Sequence, residues 1–425
     1  MLPKNRLLRF CLIIILGQVI IPGISQEERV SISGFGEFTY TSTFGDPVDE
    51  DAAEVYEDFG LLKEYSEARN DLVFPGFGLV IASNLANDKL TLLTEINFKS
   101  LHNDIDVGIE RCFLNYSINN LFNIRAGIYS TPFGSLNRVQ RVHGFLSNSV
   151  KPRDMVNLEL GLIPARIFGI ELHGSTDFNA ANIGYAVSLG SGRGLTPEQS
   201  PFEVDVFEEQ ESSLSISGAL EFIVPFGDNE LMIGLSGFSV PKMESIYIDS
   251  LGKEIEQADI DEIMEEGEED GGAAAEPDEE FDAESMELAE RGFAPYLKLS
   301  FGKIDIIAEL HITQMEGEDD PVDGYEFDYT GFSGEISYKT SLLEKQFVPY
   351  ARFDMIELSD NENPYLGLHL RNSELKRYYT SNNSVIMIGA SWSVFSFNKI
   401  KLEYNYVMEG AQPQHAILFQ SAFMF

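Results

Sequence analysis

The sequence predicts an all-β protein: a transmembrane antiparallel β-barrel of about sixteen strands, with long extracellular loops and short periplasmic turns. Three observations predict it. The N-terminus has the layout of an export signal, apolar residues beyond it alternate with polar ones at period two, and the connections between alternating runs are short and long by turns.

Residues 1–25 read as a cleavable signal peptide. Lys4, Arg6 and Arg9 form the basic start, Phe10 to Ile21 the apolar stretch, and Gly23-Ile24-Ser25 a small-residue exit that leaves Gln26 first. The stretch is shorter than the roughly 20 residues of a spanning helix. Cys11 lacks the small-residue context of a lipid-anchored cysteine.

Residues 26–425 form one unit, the barrel. Of the two cysteines, only Cys112 survives cleavage, so no internal disulfide forms. The six histidines show no ligand spacing, so no metal and no cofactor is expected. No nucleophile elbow, phosphate loop or paired His and Glu motif is present, so no enzyme is expected either. Net charge is −40, and −43 without the signal. That excludes nucleic acid as a partner, because phosphate binding needs a basic face. The acidity is concentrated in three segments: Glu254 to Glu290 has 18 acidic and no basic residues, Gly45 to Asp71 is net −8, and Met315 to Asp328 is net −7.

Hydrophobic residues make up 44% of the chain, yet outside the signal no run is long enough for a membrane helix. They alternate instead. Leu90, Leu92, Ile96 and Phe98 share a face opposite Lys89, Thr91, Glu95, Asn97 and Lys99. Ile304, Ile306, Ala308 and Leu310 stand opposite Lys303, Asp305, Glu309 and His311, and Leu402, Tyr404, Tyr406 and Met408 opposite Lys401, Glu403 and Asn405. Such runs have a lipid face and a wet face.

In order, the strands are expected near 30–43, 72–86, 89–100, 104–119, 121–131, 165–175, 180–190, 212–223, 229–240, 292–302, 303–314, 328–341, 346–358, 382–395, 397–409 and 414–425. Alternation slips at Glu110-Arg111, which reads as a bulge. Even-numbered connections are tight, as at Asn87-Asp88, Asn119-Asn120, 177–180, 226–229, Gly302-Lys303, 342–345 and 396–398. Odd-numbered ones are mostly long and contain all three acidic segments, including an acidic extracellular loop over 241–291. A soluble sandwich gives no reason for that asymmetry.

In the last run, Ile417, Phe419, Phe423 and Phe425 fall on one face. A final strand of this kind looks like the signal read by barrel-assembly machinery, with Phe419, Phe423 and Phe425 as its carriers. Tyr116, Tyr338, Tyr404, Tyr406, Phe419 and Phe423 suit belts at headgroup depth. The expected location is the outer membrane of a Gram-negative cell, in contact with lipid and lipopolysaccharide.

The connection over 131–164 reverses the local charge. Between Pro132 and Arg166, five basic residues face only Asp154 and Glu159. Together with Arg125 these basic residues, Arg138, Arg141, Lys151, Arg153 and Arg166, are expected to line or narrow a pore and to favour anions locally. The plainer alternative is that the arginines only pin the loop to wall carboxylates such as Glu95, Glu309 or Glu403.

The stretch Ile124 to Arg138, with Thr131-Pro132-Phe133-Gly134 at its centre, resembles the corresponding region of the phosphate-selective porin O and P group. Gly161 to Gly174 resembles the return strand of that group. The resemblance implies an outer-membrane porin whose third loop folds inward as a constriction, giving a water-filled channel for passive diffusion of small hydrophilic solutes or ions. It extends to a homotrimer by analogy of fold. Phosphate selectivity is not implied, because the motif here is poor in lysine. Two other readings are a surface structural or adhesive barrel with a closed lumen, and a substrate-specific transporter. The acidic loops are expected to be solvated, with loose binding of divalent cations as the rival.

Overall fold

A computed structural model describes residues 30–47, 70–86, 89–101, 104–139, 147–150, 153, 163–164, 166–178, 180–191, 214–248, 283–317, 326–358, 383–409 and 413–425. The predicted signal and most of each acidic segment lie outside them.

Sixteen strands follow one another as antiparallel neighbours. They are β1 (Val30–Pro47), β2 (Asn70–Ala86), β3 (Leu90–Leu101), β4 (Asp104–Ser117), β5 (Asn123–Ser130), β6 (Arg166–Phe178), β7 (Ala181–Ser191) and β8 (Leu214–Phe226). Then come β9 (Asn229–Ile248), β10 (Ala283–Phe301), β11 (Ile304–Gly317), β12 (Glu326–Tyr338, resumed over Thr340–Leu342), β13 (Lys345–Leu358), β14 (Asn383–Phe395), β15 (Asn398–Glu409) and β16 (Pro413–Met424). Both parts of β12 pair with β13, so they count as one strand. Pairing of β1 with both β2 and β16 closes the ring and leaves no edge.

Period two decides which face meets lipid. In β6, Phe168 and Ile170 are 65% and 60% exposed, whereas Glu171 between Ile170 and Leu172 is 3% exposed. In β15, Leu402 and Tyr404 point out while Lys401 and Glu403 are fully buried. Apolar side chains cover the outside and ionised ones the inside, the reverse of a soluble core. A surface of that kind is stable only against hydrocarbon.

The expected slip at Glu110 is a bulge. Glu95 pairs with Arg111 and Ile96 with Ile109, so Glu110 is the extra residue. Two consecutive side chains thereby face the lumen: Glu110 receives a hydrogen bond from Asn97, and Arg111 reaches Glu95 at 2.7 Å.

One boundary differs from expectation. The ladder between β9 and β10 runs out to Ile248 opposite Ala283, so the ends of the predicted 241–291 loop are paired strand. Their described pairings with the flanking strands stop earlier, at Ile216–Ser239 and Leu288–Gly317. With 20 and 19 residues against the ~9–11 that cross a bilayer, these strands project as a ribbon. Glu284, Glu287 and Glu290 interrupt the apolar alternation of β10, and Pro241-Lys242 that of β9, which hid the extension.

The turn between β12 and β13 places Leu343 and Glu344 at φ 52° and 63°. Two-residue hairpins want both central residues left-handed, which suits Asn-Gly and disfavours leucine. Replacing Leu343-Glu344 by Asn-Gly is expected to stabilise the barrel by about 1–2 kcal/mol, measured by urea unfolding in detergent micelles.

Candidate functional site

The segment after β5 leaves the wall and crosses the interior. Thr131 and Phe133 are fully buried, and a short helix α1 (Ser135–Val139) follows. Phe133 packs edge-on against Phe238 of β9 at 4.7 Å and against His311 of β11 at 4.8 Å. Gly134 donates its N–H to Ser236 Oγ at 2.7 Å.

Glu309 of β11 holds the start of α1. Its Oε2 accepts from Ser135 N at 2.8 Å, Ser135 Oγ at 2.8 Å and Leu136 N at 3.1 Å, while Oε1 accepts from His311 Nε2 at 2.6 Å. Orphan N–H groups of a first turn need an acceptor, and here the opposite wall supplies one. Gly134 sits at φ 69°, and any Cβ there would run into Glu309 and His311. That position requires glycine.

Further on, residues 147–150 meet another part of the wall. Val150 N donates to Glu403 Oε2 at 2.9 Å, beside the hydroxyl of Tyr350 on the same oxygen. Lys401 Nζ donates to the carbonyl of Ser149 at 2.7 Å, Lys399 Nζ to that of Ser147 at 3.3 Å, and Arg352 to Ser149 Oγ at 2.6 Å. Arg153 is buried against β12, bonded to Ser333 Oγ and to Glu335 Oε2 at 2.7 Å. Ser333 in turn donates to Asp354, which pairs with Arg352 at 2.9 Å. Ser149 and Arg153 are therefore linked through one polar network of the wall. Burial pulls the Arg153 guanidinium below the ordinary arginine range, and the Glu335 carboxylate opposes that shift.

Strand order gives the span. β5 and β13 lie eight places apart in a ring of sixteen, half a turn around a lumen about 30 Å wide. A segment rooted on β5 and bonded to β11, β12, β13 and β15 therefore crosses the interior.

The predicted basic residues separate into three groups. Arg153 is bolted to the wall as described. Arg125 and Arg166 lie on β5 and β6, where Arg125 pairs with Glu171 at 3.0 Å over the Phe113 ring, and Arg166 with Glu110 at 3.2 Å. Arg138 belongs to α1 but its side chain is outside the described residues, as are Arg141 and Lys151 entirely. Pinning of the segment by arginine to a wall carboxylate is seen once among the described residues, at Arg153 and Glu335. Glu95 pairs with Arg111 of the wall, while Glu309 and Glu403 accept from backbone amides of the segment. Sequence reasoning missed the wall cations Arg352, Lys399 and Lys401. Their signal was available, since alternation places Lys401 with Glu403 on the wet face.

Along the seam where β16 closes on β1, Phe425 exchanges both backbone hydrogen bonds with Gly34 at 2.8 Å. The rings of Phe425 and Phe423 lie over Gly34 and Gly36, filling the space a Cβ would need. Phe419 is exposed on the same outer face.

No protein-family model and no curated protein matches the sequence. Solved structures do match in shape. OprB of Pseudomonas putida aligns with a TM-score of 0.57 at 9% identity, covering 94% of this chain and 95% of that one. An anion-selective porin from Comamonas acidovorans gives 0.52 at 11% identity over 93% and 99%. OmpT, an outer membrane protein of Vibrio cholerae, gives 0.51 at 10% identity over 95% and 100%. The chain has the fold of an outer-membrane β-barrel. At such identities the likeness concerns fold alone. The lipid-facing exterior and ionised lumen of the barrel agree with it independently.

Proposed function

We propose that the barrel is a porin, a water-filled channel through which small hydrophilic solutes diffuse passively. The observation that carries this reading is the segment after β5, held across a polar lumen by Glu309, Glu403 and Lys401 of the facing wall. A strut so attached narrows a barrel without needing to fill it, which is how a diffusion channel sets its size limit. A barrel with only a structural role has no use for a bolted internal strut.

Kinship with the phosphate-selective O and P group rests on 124–138 and 161–174. Each arginine described in the lumen of this barrel is matched by a carboxylate: Arg111 by Glu95, Arg125 by Glu171, Arg166 by Glu110, Arg153 by Glu335 and Arg352 by Asp354. Paired arginines project little field on a passing anion. With the acidic segments expected in the outer loops, the preference we propose is for cations.

Reconstitution into planar bilayers tests both points. Stepwise, ohmic conductance is expected, with a reversal potential of cationic sign under a potassium chloride gradient. Folded protein that inserts without conductance steps would return the barrel to a structural or adhesive role. An anionic sign would leave the channel and remove the preference.

A further inference from the structure

The lumen wall is packed along one arc and open along another. The described hydrogen bonds of the strut go to β9 and β11–β15. Near it, the inward residues Ser188 of β7, Ser217 of β8, Ser236 of β9, Thr313 of β11, Ser333 of β12 and Met387 of β14 are at most 3% exposed. Inward residues across the ring are only half-buried, as at Thr39 and Thr41 of β1, Val80 of β2, Leu93 of β3 and Phe113 of β4. Water-accessible space beside the strut therefore lies along β1–β4.

β1 gives that space a polar edge. Period two turns Phe38, Tyr40 and Phe44 outward and leaves Ser31, Ser33, Glu37, Thr39, Thr41 and Thr43 facing the lumen, with Phe35 among them. Apart from Phe35, each offers a side-chain oxygen, at intervals of about 7 Å along the strand. Glu37 is the charged member and is half-buried. Other lumen carboxylates are committed: Glu95 and Glu171 to arginines, Glu309 and Glu403 to the strut, and Glu221 to Tyr296. Glu37 makes no hydrogen bond or ion pair among the described residues. Lys401, whose charge it feels across β16, is fully buried and donates to the carbonyl of Ser149. Ala422, opposite Glu37 on β16, is too small to cover it. Arg111 and Arg125, the cations described on the open arc and at its margin, are each held by a carboxylate.

We propose that permeating ions pass along β1–β4 and that Glu37 sets their sign, in favour of cations. The proposal rests on the pore reading. A carboxylate without a partner beside an aqueous path raises the local concentration of cations, whereas paired charges largely cancel. Hydroxyl oxygens above and below it replace part of the water around a passing cation. Charge in the outer loops is screened beyond about 8 Å, so the group inside the passage decides.

The test uses the full-length barrel carrying Cys112→Ser, which removes the one thiol of residues 26–425. In detergent micelles, a trimethylammonium-ethyl methanethiosulfonate should label Thr41→Cys and leave Ser217→Cys unlabelled, read as a mass shift. Equal labelling, or labelling of Ser217→Cys alone, overturns the path. In planar bilayers the same reagent should lower the conductance of Thr41→Cys in steps and leave that of Ser217→Cys unchanged. Glu37→Gln should cut the permeability ratio of potassium over chloride roughly threefold, the effect of removing one charge about 5 Å from an ion in water. Glu37→Asp should keep most of the ratio. An unchanged ratio in Glu37→Gln overturns the role of Glu37. Glu37→Cys serves if Glu37→Gln fails to fold: a sulfonate reagent should restore the ratio and the trimethylammonium reagent should lower it, and equal ratios with both overturn that role. A barrel labelled at Thr41→Cys alone but silent in the bilayer would overturn the pore, and the role of Glu37 with it, while the open arc would stand.

Discussion

Removal of Met424 and Phe425 is expected to cut the amount of heat-modifiable, membrane-inserted barrel by about tenfold or more. The two residues supply three backbone hydrogen bonds, two across the seam between Phe425 and Gly34 and one from Met424 to Phe397 in the turn before β15. At about 1 kcal/mol each, the two bonds across the seam already account for more than a tenfold shift in closure. The Phe425 ring over Gly34 adds apolar contact, and its loss bares glycine backbone to lipid. Closure is also a cooperative requirement, because a ring of sixteen strands with one open pair has two unsatisfied edges in hydrocarbon. Gly36→Val approaches the same seam from the other side, since its branched side chain would displace the Phe423 ring. Semi-native electrophoresis of membranes from expressing cells reads both variants. Wild-type levels in the truncation would refute a role for Phe425 in assembly.

Glu309→Ala is expected to release the internal strut. One carboxylate there satisfies two backbone N–H groups and a hydroxyl of the segment, as well as His311. Hydrogen bonds to a charged acceptor contribute about 1.5–3 kcal/mol each, so on the order of 5 kcal/mol of local attachment disappears while the barrel ladder is untouched. Single-channel conductance should rise and become noisy, and the segment should become open to protease, with urea unfolding of the barrel little changed. Glu309→Gln keeps an accepting oxygen and should lie between. Because the Glu403 and Arg153 anchorages remain, combining Glu309→Ala with Glu403→Ala should exceed either alone. Unchanged conductance in the double variant would mean that the strut does not govern the path.

Much of the barrel was legible before any coordinates. Strands such as β3, β11 and β15 follow from period two because each strand lies between two solvents, hydrocarbon and water, and every second residue must suit one of them. Their short turns follow from Asn, Asp and Gly at chain reversals. The bulge at Glu110 was readable for the same reason, as a break in a strict alternation. Where that alternation carried little contrast the reading failed. The outer half of β10 lies in an acid-rich stretch and that of β9 starts at Pro241-Lys242, and the pairing of Met243 to Ile248 with β10 went unseen.

The sites were legible only in part. Parity says that Glu309, Lys401 and Glu403 face inward, but it does not say what they meet. Ser135 and Glu309 are 174 residues apart, and Val150 and Glu403 are 253 apart. The basic character of 131–164 suggested arginine as the fastening. Among the described residues, backbone amides and wall lysines share that work with Arg153, because the segment must still satisfy its N–H and C=O groups inside the barrel.

The sequence by itself determined the sixteen-stranded barrel, its inside and outside, and the segment that departs from β5, since these depend on local alternation and chain order. Closure on Phe425, the wall residues that fasten the strut, and the neutralisation of each described lumen arginine were decided by the tertiary structure. Those depend on which inward side chains the ring brings face to face, and no local pattern encodes a distance across a lumen.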